Sequence, residues 1–414
     1  MVLKRTTLQN LFLFIVTLCV SINASNSNLL IQFSSINFII FFFLCLKNKK
    51  ILEAIKENYI NNKLFFVIFF VYVSYLIFQI IPLPLHWFEV IAPANHALYS
   101  SVRIDKVYWS LSLDPSSSYF RILNCINFFI IFLIFPALFF RSKHLMKVLF
   151  FFCLLGFCHA VFATYWMLIG NPSNFLIEKN HYLHASTGLF VNRTVFATFL
   201  LLCAFSGLYY MVVFFQKNKI TSFGLFEQVN TKIIYIRIFI IFLTIGILTT
   251  WSRIVNFSYV LVLISFLIYS KISFKKYINP LSTIILFILL FDILILGLVF
   301  GNAKLVERYA ETSLIGEAGR IEIHKFGFIQ FKEFWLFGYG AGAFELVFKL
   351  FYNILKKMSF NIEKLKKKII FKFFFNFFIL FLIQYIFSNL FLNYTLVSKS
   401  LNFFHGCSCM KKLM

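Results

Sequence analysis

The chain has 414 residues, 61% of them hydrophobic and 21% aromatic, and its 39 Lys and Arg against 15 Asp and Glu give a formal charge of +24. A mean hydropathy of +0.86 excludes a water-soluble globular domain and predicts a multi-span membrane protein. The basic excess does not point to nucleic acid, because the lysines fall in short segments between apolar runs, where they set membrane orientation.

Runs of spanning length, about 20 residues, occur at 9–24, 29–46, 64–82, 119–140, 145–170, 187–215, 233–250, 254–270 and 280–300, with another at 370–397. Their many phenylalanines read as lipid-facing filler and carry no functional signal. The first run follows Lys4 and Arg5, and the small residues of "SINAS" after it leave two readings open, a cleaved signal and a retained anchor. The cysteines show neither zinc spacing nor a disulfide framework. Cys19, Cys45, Cys125, Cys153, Cys158 and Cys203 lie in apolar runs and read as small hydrophobes, and the lone pair Cys407 and Cys409 does not make a metal site. No metal and no cofactor is expected.

Placing the N-terminus in the cytoplasm puts four consecutive basic segments inside: Lys47, Lys49, Lys50, Lys56 and Lys63; Arg141, Lys143 and Lys147; Lys217, Lys219 and Lys232; Lys271, Lys275 and Lys276. That is the pattern the positive-inside rule demands. Segments 83–118, 171–186, 251–253 and 301–345 then lie outside and carry most of the Asp, Glu, Trp and His. The expected organisation is a helical bundle of about nine spans over 1–300, an external loop over 301–345 and a Lys/Phe-rich segment over 346–414.

In 83–118, Pro82 and Pro84 end a span, while His86, Trp87, Pro93 and Trp109 predict a partly ordered segment at the interface. "SLDPSSS" reads as a turn in which Asp114 and the serines cap the next helix. In "STGLFVNRTVFATFLLL", Arg193 interrupts a lipid-buried run, and a guanidinium at the bilayer centre costs roughly 2.5–3.5 kcal/mol. Arg253, in "TTWSRIVNFSYV", raises the same question at the next external turn. Two readings stay open for both: snorkelling to lipid phosphates, or lining a site for an anionic substrate. In 301–345, Arg320 opens an amphipathic stretch from Ile321 to Phe337 that lies flat on the membrane, and Gly338, Gly340 and Gly342 close it. Such a turn aims backbone N–H groups at a phosphate or makes a sharp bend. No strand precedes it, which excludes a dinucleotide fold.

Taken in order, "LPLHWFEVIAPAN", "WSLSLDPSSSYFRIL", "STGLFVNRTVFATFL", "TTWSRIVNFSYVLVLI" and "GRIEIHKFGFIQFKEFWLFGYGAGAFE" resemble the O-antigen ligase and polymerase family over residues 80 to 345. These are polytopic bacterial proteins that move glycans from a polyprenyl-diphosphate carrier. The resemblance implies an all-α, GT-C-like transmembrane bundle in the bacterial inner membrane with its active site facing the periplasm. It implies metal-independent transfer from an undecaprenyl-diphosphate-linked oligosaccharide to a lipid A core, a glycan or a protein acceptor. Arg193, Arg253 and Arg320 match the positions of the family's diphosphate-binding arginines, with Asn192, Ser252, Gly338, Gly340 and Gly342 as substrate-binding neighbours. The physics agrees: charge builds on the leaving oxygen as the sugar–diphosphate bond breaks, and fixed guanidinium forks stabilise it without reorganising.

One family element is missing. The external histidine of an H-N-D-Y-like segment has no counterpart, and His405 has neither its neighbours nor its position. Instead, eight lysines and one acid stand between 349 and 372, on the outer side by helix parity. The charge violation and the lost motif point to a frameshift or truncation from about residue 346; a second reading has residues 340–356 crossing the membrane. For acid–base chemistry the sequence offers His324, Glu322 and His86. A transporter of an anionic solute is the alternative function, although the inverted repeats it predicts are not evident. An inactive family member is a third.

Overall fold

In a lipid interior each backbone N–H and C=O must find its partner within the protein, and a continuous apolar run of about 20 residues does so as a helix. The computed structural model describes residues 3–22, 28–101, 108–139, 142–172, 182–218, 231–273, 314–334 and 337–348. Eight apolar helices follow the first eight predicted runs: α1 (Arg5–Ile22), α2 (Asn28–Leu46), α4 (Lys63–Ile80), α7 (Pro115–Phe139), α8 (Ser142–Leu168), α9 (Arg193–Asn218), α10 (Thr231–Thr249) and α11 (Arg253–Ser273). Four of them, within α4, α7, α8 and α9, are long and apolar enough to cross a membrane. The predicted runs at 280–300 and 370–397, and the Lys-rich block beyond 348, lie outside the described residues.

The helices pack as two sets. α8, α9, α10 and α11 share a core of Leu200, Leu208, Leu243, Leu263 and their neighbours. Small residues set the approach, as they do where apolar burial between helices is not the driving force. A Cβ on Gly156 would collide with Cys203, and one on Gly246 would stand 2.8 Å from the Ala160 Cβ. Cys153 and Cys203 are buried here and unbridged, so they do serve as small hydrophobes.

The second set joins α1, α2, α7 and a helix the sequence reading missed, α3 (Lys49–Asn61), around Phe12, Phe41, Ile134 and Phe139. α3 buries Ile51 and Ile55, one helical turn apart, and exposes its lysines. Its Asn58 answers a defect in α7. Pro136 lies inside that helix and has no N–H to give the carbonyl four residues back; Asn58 Nδ2 donates to that carbonyl, Phe132 O, at 3.2 Å. At the end of α7 the orphan carbonyls are met by α1. Arg5 Nη2 donates to Ala137 O at 2.7 Å and to Leu138 O at 3.1 Å, and Gln9 Nε2 donates to Leu138 O at 2.7 Å. A cation there also opposes the negative end of the helix dipole. α1 thus packs against α2 and α7.

At the opposite end, residues 81–101 and 108–114 after α4 are structured, where the prolines and tryptophans predict a partly ordered segment. β1 (Pro82–Pro84) pairs antiparallel with β2 (Tyr108–Ser110), Leu83 opposite Trp109, and between them come α5 (Leu85–Ile91) and α6 (Pro93–Ser101). This two-stranded ladder is a small addition to the all-α expectation among the described residues. Phe88, Ala92, Trp109 and Leu111 form its own small core, with Phe337 packed against it. Asp114 caps α7 as expected, accepting from Ser117 N at 3.0 Å and Ser117 Oγ at 2.6 Å. The last described helix, α12 (Leu314–Glu333), begins before the predicted start, so Arg320 lies within it and does not open it. The Ser112 N–H donates to Gln79 O at 2.8 Å and the Ser186 N–H to Thr249 O at 3.0 Å, so the described residues before α7 and α9 meet the ends of α4 and α10.

Candidate functional site

α9 and α11, like α1, begin on an arginine. Asn192 starts α9 by accepting the Thr194 N–H on its Oδ1 at 2.8 Å, the N-cap arrangement that short polar side chains favour. α10 and α11 are joined by a reversal only a few residues long, for which Trp251 adopts φ +50°, a left-handed conformation uncommon outside glycine. The Trp251 N–H reaches Leu248 O at 3.0 Å, and the Ser252 N–H reaches Thr250 Oγ1 at 3.2 Å. Ser252 therefore arrives with its side chain free of its own turn. Its Oγ donates to Thr194 Oγ1 at 3.4 Å, and the Ser186 N–H donates to Thr249 O at 3.0 Å. These bonds bring the start of α9, the start of α11 and the segment before α9 together.

Arg193 and Arg253 each adjoin one member of the Ser252–Thr194 bond, so the helix starts that carry two of the three predicted arginines meet. Each helix also directs its positive dipole end to this place. The Arg193 guanidinium stands 4.8 Å from the centroid of the Tyr182 ring, a cation–π distance. Its Nη1 is buried with no hydrogen-bond partner, as are Ser186 Oγ and both amide atoms of Asn256. Asn256 is only 6% exposed and lies in the first turn of α11. Buried polar atoms without partners are rare and each asks for a ligand, a water or a function. No carboxylate pairs with Arg193 among the described residues. The site is cationic, donor-rich and lacks a built-in counter-charge on Arg193, which suits it to an anion with several acceptor oxygens.

Arg320 lies in the second turn of α12, and its side chain is outside the described residues. The glycine turn makes its contacts elsewhere. Gly338, Gly340 and Gly342 take φ of +65°, +105° and +92°, and the turn is stitched to α4, to α6 and to the residues before α7. Tyr75 Oη and Gln79 Nε2 donate to Phe337 O at 2.7 and 2.8 Å, Asn95 Nδ2 to Gly338 O at 3.3 Å, and Ser118 Oγ to Ala341 O at 2.8 Å. The Leu113 N–H reaches Tyr339 O at 3.0 Å, and the Ala341 N–H reaches Gln79 Oε1 at 3.2 Å. A Cβ on Gly340 would collide with Ser112. The sharp-bend reading is therefore sufficient to account for these glycines. Beside them, burial pushes the Tyr99 hydroxyl above the usual phenol range, so it stays protonated and donates to Ser112 O at 3.0 Å.

Three histidines bear on acid–base chemistry. His86 is exposed on α5 and His324 is exposed on α12, while the Glu322 side chain is outside the described residues. His184, which the sequence reading passed over, is exposed two residues after Tyr182 and two before Ser186, at the lip of the arginine site. His159 lies deeper in α8, its Nε2 3.3 Å from Ser21 Oγ and its ring between Phe190 and Phe199. That is the setting of a packed, satisfied histidine. Tyr182, His184 and Asn256 had no motif to mark them; position next to a predicted external turn was the one available signal. Comparison with known protein families, with curated proteins and with solved structures finds no match.

Proposed function

We propose that this chain transfers a glycan from an undecaprenyl-diphosphate carrier to an acceptor hydroxyl during cell-surface polysaccharide assembly, as an O-antigen ligase or polymerase would. The arginine end of the bundle faces the periplasm of a bacterial inner membrane in this reading. The motif order over residues 80 to 345 supports it. The observation that carries it is the buried, unpartnered Nη1 of Arg193, held where α9 and α11 both begin.

The carrier's phosphate oxygens take the donors of Arg193 and Arg253. An acceptor hydroxyl attacks the anomeric carbon from the face opposite the diphosphate; the new C–O bond forms as the bond to the phosphate oxygen breaks, with inversion. The electron pair leaves on the diphosphate, where two fixed guanidinium groups meet the growing charge. The hydroxyl proton passes to a base, and exposed His184 is the histidine best situated to receive it. Bulk diphosphate, bound by planar forks, distinguishes this site from one built of lysines.

Expression in a bacterial strain lacking its own ligase or polymerase tests the reading through lipopolysaccharide banding. Laddering returns with the unaltered chain and is lost in Arg193→Ala, Arg253→Ala and the corresponding Lys substitutions at unchanged protein level. Laddering that persists with both arginines replaced overturns it.

A further inference from the structure

Away from the arginine pair, the lateral surface between α4 and α7 holds a groove of about 620 Å³. Phe65, Phe69 and Tyr72 of α4 and Phe128 of α7 line it, Gly342 stands at its head, and Arg121 is in its wall. The two helices run antiparallel, with Phe65 against Phe132 at 4.4 Å and Phe69 stacked on Phe129 at 4.9 Å. From Arg121 down to the level of Phe132 is about 16 Å along α7, roughly half of the ~30 Å hydrocarbon layer. The groove's own lining on α7, Arg121 to Phe128, covers about 10 Å of that length, with its cation near the polar end and rings below.

Arg121 sits six positions past Pro115, the first residue of α7, and is exposed. Among the described residues it makes neither an ion pair nor a hydrogen bond, and the groove is lined by no acidic residue. Arg121 is exposed near the polar end, where a guanidinium is well placed to meet a lipid phosphate, and the apolar slot below it suits an acyl chain. We infer that an anionic glycerophospholipid occupies this groove, with its phosphate on Arg121 and one acyl chain laid along Phe69, Phe128 and Phe65. The site is separate from the Arg193–Arg253 pair and does not rest on the proposed transfer reaction.

The test uses the full chain in lipid nanodiscs with Phe128→Trp as a reporter inside the groove and Phe69→Trp as a second reporter should the first fail to fold. Quenching of the new tryptophan is read against the parent chain, with brominated-chain phosphatidylglycerol or phosphatidylcholine at equal mole fraction. One surface cation favours an anionic lipid by roughly five-fold, so phosphatidylglycerol is expected to compete about that much better. Arg121→Gln removes the preference while Arg121→Lys keeps it. Equal quenching by the two lipids, or a preference that survives Arg121→Gln, overturns the inference. So does displacement of the lipid by free glycerol 3-phosphate, which would mark a site for soluble phosphate.

Discussion

Ser252 donates a hydrogen bond to Thr194 across 3.4 Å, and each of these residues is the immediate chain neighbour of an arginine. The bond is long, but it joins the first residues of two helices that no covalent turn connects directly. Its consequence is that Arg193 and Arg253 cannot drift apart without the helix starts separating. Ser252→Ala and Thr194→Ala are expected to be non-additive, with a coupling of about 0.5–1 kcal/mol in a double-mutant cycle of thermal unfolding in detergent. Additive effects would show that the two helix starts are held by packing alone.

Tyr182 positions the Arg193 guanidinium through its ring face. Tyr182→Phe keeps that face and should leave laddering in the complementation assay intact. Tyr182→Ala removes it, with a loss of about 1 kcal/mol, or roughly five-fold in affinity for an anionic ligand. Equal loss in both variants would assign the effect to the hydroxyl instead.

The Asn58 contact with the Phe132 carbonyl exists because Pro136 cannot supply one. Asn58→Leu should therefore destabilise the bundle by about 1 kcal/mol, the loss of a part-buried hydrogen bond. Adding Pro136→Ala restores an intrahelical donor and should recover most of that stability. A double variant no more stable than Asn58→Leu alone would rule out this account of α3.

Gly340 combines φ +105° with contact against Ser112, so Gly340→Ala should lower stability by roughly 1–3 kcal/mol from backbone strain alone, plus the clash. Ser112→Gly in the same chain removes the Oγ and Cβ contacts but leaves the Cα of residue 112 at 2.8 Å, so thermal unfolding of the pair should recover only part of the loss; full recovery would contradict the strain account.

Much of the bundle was legible because a continuous apolar run of about 20 residues satisfies its backbone in lipid as a helix, and Arg193 and Arg253 were legible because charge inside such runs is rare. α3 was not. Its face consists of Ile51 and Ile55 among lysines and polar residues, and it becomes necessary only through Pro136, more than seventy residues away. The start of α12 at Leu314 was missed because "TSLIGEAGR" opens with mixed polarity and two glycines, so Arg320 looked like a first residue. The glycine turn's partners, Gln79, Asn95, Ser112 and Ser118, are distant in sequence, and distance hid why three left-handed positions were needed. His184 and Tyr182 became visible as site neighbours only once the Ser186–Thr249 bond folded their segment over α9.

The proposal that the Arg193–Arg253 pair holds a phosphorylated lipid carrier is tested most directly by binding of radiolabelled undecaprenyl diphosphate to the purified chain in nanodiscs. The unaltered chain should bind saturably, and Arg193→Gln with Arg253→Gln should weaken binding by more than about ten-fold, the loss of two charge-assisted contacts. Equal binding by the unaltered and doubly substituted chains would contradict the proposal.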